Sequence, residues 1–158
     1  MAKRRKRTNK NVPAKGRLRE ICDSLWSLAV RADWAHKCAA CGKGKVDAHH
    51  LIPRQHEAYR YDLRNGIALC GPHHQFDADI SPHQNAAGWL HWLNQHRFKL
   101  WYWYIDLVES GDHKSFTGTK NAAYYIGQIR RLKEYVDEDE FTRVVGVRFS
   151  AWLEENSE

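Results

Sequence analysis

The sequence lacks a long apolar stretch. No run among its 158 residues approaches the roughly 18 consecutive apolar residues that a membrane-spanning helix needs. The basic start MAKRRKR is not followed by the apolar segment of a secretory signal. We therefore expect no membrane partner and no export, and we expect the protein in the cytoplasm of its host cell.

Acidic residues are missing from the first sixteen positions. Residues 1–16 hold seven Lys or Arg and no Asp or Glu, and removing these seven from the 25 basic residues leaves 18 against 19 acidic ones. The net charge of +6 therefore belongs to this arm. A basic arm suits a polyanion, because each neutralised phosphate releases counterions. Contact with nucleic acid and a solvated, disordered tail are both open interpretations.

Internal repeats are absent, and no low-complexity tract occurs outside the arm. Hydrophobic residues make up 42% of the chain and aromatic residues 12%, which is enough for one compact domain with a real core. We divide the chain into a basic, disordered arm (1–16), an N-terminal helix (17–36), a core (37–80) and a helical C-terminal extension packed on that core (81–158).

Local patterns predict the elements around the core. Residues 45–52 and 65–70 predict two short strands, and Pro72 suits the first turn of a short helix. The pair Ser81-Pro82 predicts a helix start, with Ser as the cap and Pro at the first position. The aromatic run LWYWYIDL fits either a helix or a strand, and Thr119 is the expected cap of a later helix.

Cysteine is scarce, with four residues in the chain. Cys22 lies on an apolar helical stripe, which predicts a buried structural thiol. The other three form Cys38-x2-Cys41 and, with a histidine, Cys70-x2-His73. A Cys3His set is a common composition for a closed tetrahedral Zn²⁺ site, and a chain without export signals favours metal over disulfides. Two such knuckles favour structural zinc over the alternative that these cysteines are small core residues.

The interval between the two knuckles is long. Simple zinc ribbons place about 15–20 residues between their ligand pairs, whereas residues 42–69 intervene here. That length accommodates a hairpin whose loop carries functional residues. Because zinc with four protein ligands has no open position, any chemistry requires a second site.

The order AHHLIP, RNGIALC and HHQFD resembles the HNH (ββα-metal, or His-Me finger) endonucleases in their zinc-stapled form. The resemblance covers about residues 38–79. It rests on the doubled histidine before LIP, the asparagine before the second strand, and the histidine directly after the last zinc ligand. It implies an α+β fold in which a small zinc-stapled ββα-metal core is flanked by an N-terminal helix and a mostly helical C-terminal region. The layout resembles that of small phage enzymes, which implies that the host cell is a bacterial or phage-infected cell.

The resemblance also implies a role for each site residue. His50 is the general base that deprotonates the attacking water. His49 occupies the position that commonly holds a metal-binding Asp or His, and His74 is the other metal ligand. Asn65 orients His50 and holds the loop in shape. Asp77, three residues after His74, is either a third ligand or outer partner of this metal or a solvated acid.

Phosphodiester cleavage explains why two histidines stand side by side. The reaction needs a base with a near-neutral pKa and a cation that takes up charge on the phosphate and the leaving 3′ oxygen. A histidine that binds metal through one nitrogen cannot use that nitrogen as a base, so the pair fits one ligand and one base. The expected catalytic ion is Mg²⁺, Mn²⁺, Ni²⁺ or Zn²⁺, and imidazole ligands favour Mn²⁺, Ni²⁺ or Zn²⁺ more than an all-oxygen site would.

These features predict a metal-dependent HNH DNA endonuclease that carries a structural Zn²⁺ and a catalytic divalent ion. A zinc-stabilised nucleic-acid-binding module without catalysis remains an alternative, although it has no use for the three site histidines together. A protein-interaction adaptor that uses the acidic VDEDE run (136–140) is a second alternative. The remaining histidines are assigned structural roles: His36, His56, His83, His91, His96 and His113.

Overall fold

The computed structural model describes residues 10–157. These residues form two compact units, of which one is Trp26–Thr119 and the other comprises residues 10–25 with 120–157. Helix α1, Lys15–Asp33, contributes to both units. Positions 1–9 of the predicted arm lie outside the described residues.

The unit Trp26–Thr119 contains a β-hairpin and the helices that follow it. Strands β1 and β2 pair antiparallel, with Val46 opposite Cys70 and His50 opposite Gly66. A two-stranded sheet among helices confirms the predicted α+β class. The elements after α1 are β1 (Val46–His50), β2 (Gly66–Cys70), a π-type helical turn (Pro72–Phe76), α2 (Ala86–His96) and α3 (Phe98–Ser110), with short 3-10 turns at Leu63–Asn65 and Asp112–Lys114.

The hairpin packs on the C-terminal half of α1. All five residues of β2 are buried, and Trp34 Nε1 donates a hydrogen bond to the Gly66 carbonyl at 3.2 Å. A Cβ atom at Gly66 would overlap both Cγ atoms of Val30 and would touch Trp26. Glycine at this position therefore permits the close approach of helix and strand, which places the end of β1 beside α1.

Helix α2 begins later than Ser81-Pro82 predicts. Its cap is Asn85, whose side chain accepts a hydrogen bond from the N–H of Gly88. Ser81 is fully buried, and its hydroxyl donates to the His74 carbonyl at 2.9 Å and accepts from the His83 N–H at 3.2 Å. The predicted cap was wrong, because a tertiary contact occupies the hydroxyl of Ser81 and an equally good cap follows four residues later. The aromatic run that fitted a helix or a strand is helical in α3.

The second unit combines the start of α1 with three helices. These are α4 (Ala122–Lys133), α5 (Glu138–Val145) and α6 (Val147–Glu155). The side chain of Asn121 accepts from the Tyr124 N–H and caps α4, so the expected cap at Thr119 was wrong. Cys22 is buried as predicted, and its Sγ lies 3.4 Å from the Tyr125 carbonyl oxygen.

The predicted C-terminal extension, 81–158, is divided between the two units at residue 120. The domain boundaries drawn from the sequence thus stay a prediction. Each helix within residues 10–157 falls short of the length and apolar character that crossing a membrane would demand.

Candidate metal centres and active site

The first ligand cluster is built on a tight turn before β1. The Cys38 carbonyl accepts the N–H of Gly42 at 2.8 Å, and Gly42 has a φ of 72°, the left-handed conformation that glycine adopts readily. The N–H of Ala39 donates to the Ala68 carbonyl on β2 at 2.9 Å. The turn therefore presents Cys38 and Cys41 at the end of the hairpin where β2 finishes.

The four predicted zinc ligands lie together there. Their ligand atoms all lie within 4.8 Å of one another. The Sγ atoms of Cys41 and Cys70 are 3.8 Å apart, and His73 Nδ1 lies 3.4 Å from Cys38 Sγ and 3.3 Å from Cys70 Sγ. A tetrahedral ion with Zn–S bonds of about 2.3 Å separates its sulfur ligands by roughly 3.8 Å. The set fits Zn²⁺.

The thiols of this cluster are electrostatically coupled. Burial opposes ionisation of Cys38, but backbone N–H groups of its neighbours outweigh burial and lower its pKa to about 6. Burial and the adjacent sulfurs raise the pKa of Cys70 to about 11. A bound cation would balance the negative charge of the thiolates and favour their ionisation, as in a thiolate metal site.

A second cluster consists of three imidazoles. His49 Nδ1 lies 3.2 Å from His74 Nε2, and His83 Nε2 lies 3.3 Å from the same nitrogen of His74. The three ligand atoms lie within 4.8 Å of one another. Nitrogens that each lie about 2.0–2.1 Å from one ion are roughly 2.9–3.4 Å apart in octahedral or tetrahedral geometry. The spacing fits a divalent transition-metal ion.

The surroundings of His49 and His74 disfavour the charged forms of these two histidines. Burial, followed by the neighbouring imidazoles, lowers the pKa of His49 to about 3, and burial also lowers the pKa of His74. Neutral imidazole is the form that binds metal. The Asp47 carboxylate lies 3.9 Å from His74 Nδ1, on the side of the ring away from the cluster, where an outer carboxylate orients a ligand histidine.

Asp77 does not join the imidazole cluster. Its carboxylate accepts the N–H groups of Asp79 and Ile80, both at 2.9 Å, and these bonds lower its pKa. It also lies 3.9 Å from His73 Nε2, beside a ligand of the cysteine cluster. The helical turn has π-type geometry and ends at Phe76. The α-helical spacing that would put Asp77 on the face of His74 therefore does not apply.

His50 lies in a different environment from His49. Its ring stacks on Trp26, with centroids 3.5 Å apart and an interplanar angle of 12°. His50 Nε2 lies 2.9 Å from the carbonyl oxygen of Arg60. Because a carbonyl only accepts, this contact places the proton of the neutral ring on Nε2 and leaves Nδ1 as the basic nitrogen.

Asn65 connects the start of β2 to the loop that follows β1. It is fully buried, and its Oδ1 accepts from the Ile52 N–H at 2.6 Å. Its Nδ2 donates to the carbonyls of Ile52 and Tyr59, both at 3.0 Å. Tyr59 directly precedes Arg60, so Asn65 holds the stretch of backbone whose carbonyl contacts His50.

His49 and His50 meet at one cleft although they contact different elements. Successive residues of a strand point to opposite faces, and here His49 faces the other imidazoles while His50 faces α1. Strand β1 ends at His50, and both histidines line the same cleft. The remaining lining residues are Leu51, Pro53, Pro82, Ala86, Trp89, Leu90, Leu93 and Tyr104.

His83 is the cluster member that sequence reasoning missed. It follows His74 by nine residues, and the sequence analysis assigned it a structural role. The position four residues after His74 is Ala78, which leaves the helical turn without a second imidazole on its face. No local spacing pattern links His83 to His74, so the sequence carried no signal for its place in the cluster.

The antiparallel hairpin and the helical turn that follows it form a ββα segment with two candidate metal sites. Comparison with family models shows that residues 38–78 match the HNH endonuclease family. This match confirms the resemblance seen in the sequence, and the Cys3His cluster fits the zinc-stapled form. The family supports a nuclease-type function. No curated protein and no solved structure gives a significant match to the chain.

Proposed function

We propose that this protein is a metal-dependent DNA endonuclease that hydrolyses phosphodiester bonds. One observation carries the proposal. His49 and His50 are adjacent and line the same cleft, yet His49 faces two other imidazoles and His50 contacts a backbone carbonyl and an indole ring. This difference in surroundings supports a metal-ligand role for His49 and a base role for His50.

His50 is proposed to accept the proton of the attacking water at Nδ1. The Arg60 carbonyl, 2.9 Å from Nε2, holds the tautomer that makes Nδ1 basic. Stacking on Trp26 fixes the plane of the His50 ring. The orientation of Nδ1 relative to the cleft is therefore fixed as well. Asn65 holds the backbone that supplies the carbonyl, which gives it a positioning role.

His49 and His74 are proposed to hold the catalytic ion. A divalent cation at this position supplies positive charge to the scissile phosphate and to the leaving 3′ oxygen. Both histidines are neutral ligands, and Asp47 lies where it orients His74. The Cys3His cluster is proposed to carry the structural Zn²⁺, since four protein ligands leave no position for substrate.

DNA is the proposed substrate. The HNH family acts on nucleic acid, and the seven basic residues of 1–16 supply charge that suits phosphate contacts. A zinc-stabilised binding module without catalysis would share the cysteine cluster and the arm. It would give no reason for a base histidine and a ligand histidine to meet in one cleft.

Plasmid cleavage tests the proposal. Supercoiled DNA is incubated with the zinc-loaded protein and Mg²⁺, Mn²⁺ or Ni²⁺, and parallel samples contain EDTA. We expect cleavage with at least one ion, loss of cleavage with EDTA, and a loss on the order of 10²–10⁴-fold in His50→Ala. His91→Ala, which removes an exposed histidine of α2, serves as the matched control. DNA binding without cleavage under every ion would instead support the non-catalytic module.

A further inference from the structure

We propose that His83 is a third ligand of the catalytic divalent ion and that Ser81 positions it. This ligand comes from outside residues 38–78, the segment that matches the HNH family. The inference rests on the proposed function, because it concerns the same ion. It replaces Asp77, which the structure places beside the other cluster.

The first argument is the convergence of three ring nitrogens. His74 Nε2 faces both His49 Nδ1 and His83 Nε2, at 3.2 Å and 3.3 Å. A ring nitrogen of neutral imidazole carries either one proton or one lone pair. His74 Nε2 can therefore form a hydrogen bond with the ring nitrogen of one neighbour, either His49 or His83. The ring nitrogen of the other neighbour then faces His74 Nε2 without a matching proton or lone pair. An ion among the three nitrogens satisfies all of them at once.

The second argument is the way in which the segment carrying His83 is fixed. Ser81 is fully buried, and its hydroxyl links the carbonyl of His74 to the N–H of His83. Gln84 Nε2 donates to the Gln75 carbonyl at 3.1 Å. The segment is thus bonded to the helical turn on both sides of His83, which holds its ring against that of His74.

The third argument concerns exposure and chemistry. His83 is exposed, whereas His49 and His74 are half-buried, so His83 closes the solvent side of the cluster. A set of three imidazoles contains no oxygen ligand. It is therefore suited to Co²⁺, Ni²⁺ or Zn²⁺ and less suited to Mn²⁺ or Mg²⁺, which prefer oxygen ligands. Three ligands also leave coordination positions for water and a phosphate oxygen.

Calorimetric titration of zinc-loaded protein with Ni²⁺ tests the proposal without measuring activity. We expect Ser81→Ala to weaken Ni²⁺ binding by about 10-fold, the lower end of the range for an outer partner of a metal site, and His83→Ala to weaken it by at least about 100-fold, because loss of a direct ligand should cost no less than the upper end of that range. His91→Ala is the matched control and should bind like the wild type. Free imidazole should restore much of the affinity of His83→Ala, because a soluble ligand can enter an exposed position. A purely structural role would not give such rescue.

Two results overturn the inference in distinguishable ways. If His49→Ala loses Ni²⁺ binding while His83→Ala binds like the wild type, the ion is bound without His83, and only this inference fails. If the wild-type protein binds no Ni²⁺, Mn²⁺ or Co²⁺ beyond its structural Zn²⁺, the proposed function fails together with it.

Discussion

The two ligand clusters of the Trp26–Thr119 unit differ in composition and in access. The first combines three sulfur atoms with one imidazole, and Cys38 and Cys70 in it are buried. The second combines three imidazoles and adjoins a cleft lined by His49 and His50. Four ligands including thiolates close a zinc site, whereas three neutral ligands leave room for a reactant. The contrast separates a proposed structural metal from a proposed catalytic one.

Both clusters contain a histidine from the same helical turn, and each of these histidines lies near a carboxylate. In each, a histidine of the same helical turn contributes one ring nitrogen and turns the other toward a carboxylate 3.9 Å away: His73 toward Asp77, and His74 toward Asp47. Adjacent residues of one turn thus serve different clusters. The geometry of the turn therefore assigns each histidine to its cluster.

Removing a sulfur ligand should have the largest effect. We expect Cys41→Ser to lose its Zn²⁺ and to unfold or aggregate, because structural zinc binding contributes on the order of 10 kcal/mol, comparable with the whole stability of a small domain. Metal analysis and thermal denaturation check this. Cys22→Ser is the matched control, since it alters a buried thiol outside the cluster and should keep the metal. A metal-free Cys41→Ser that melts like the wild type would contradict the assignment of a structural site.

Asn65→Ala should have the next largest effect and should spare both metals. Loss of the amide leaves the Ile52 N–H and two backbone carbonyls without their partner, which we expect to cost about 2–4 kcal/mol. Urea denaturation measures the loss, and metal analysis should show unchanged zinc. Asn94→Ala on α2 should change stability by less than about 0.5 kcal/mol. If Asn65→Ala lost zinc at native stability, Asn65 would instead support the cysteine cluster.

Replacing Asp47 or Asp77 by asparagine should have the smallest effect. The two variants should show which carboxylate supports which ligand cluster. We expect Asp47→Asn to weaken Ni²⁺ binding to the imidazole cluster by up to about tenfold, the lower end of the effect of an outer partner, because Asp47 is largely exposed. Asp77→Asn should leave Ni²⁺ binding unchanged and should speed the removal of zinc by a chelator. Equal effects of both variants on Ni²⁺ binding would show that the turn does not separate the clusters.

The parts of the site that the sequence predicted depend on short-range spacing between residues. The knuckles Cys38-x2-Cys41 and Cys70-x2-His73 bring their ligands together through short turns, so their meeting depends on one hairpin register. The two strands and the buried thiol of Cys22 follow from similarly local patterns. The roles proposed for these residues rest on the family resemblance as well as on their geometry.

The parts that the sequence did not predict depend on tertiary contacts. Asp77 leaves the face of His74 because the helical turn is π-type and ends one residue earlier, which no periodicity indicates. His83 reaches the cluster through the hydroxyl of Ser81, a residue whose local signal is that of a helix cap. At both predicted helix starts a nearby asparagine serves as the cap, because several good capping residues occur within a few positions.

The central claim is that adjacent histidines of β1 divide metal binding and proton transfer between them. Calorimetric titration of the zinc-loaded His49→Ala and His50→Ala variants with Ni²⁺ tests this claim most directly. We predict that His49→Ala loses Ni²⁺ binding, whereas His50→Ala binds Ni²⁺ like the wild type, because His50 is not a member of the imidazole cluster and its ring contacts the Arg60 carbonyl and Trp26. Loss of Ni²⁺ binding in His50→Ala together with unchanged binding in His49→Ala would contradict the account.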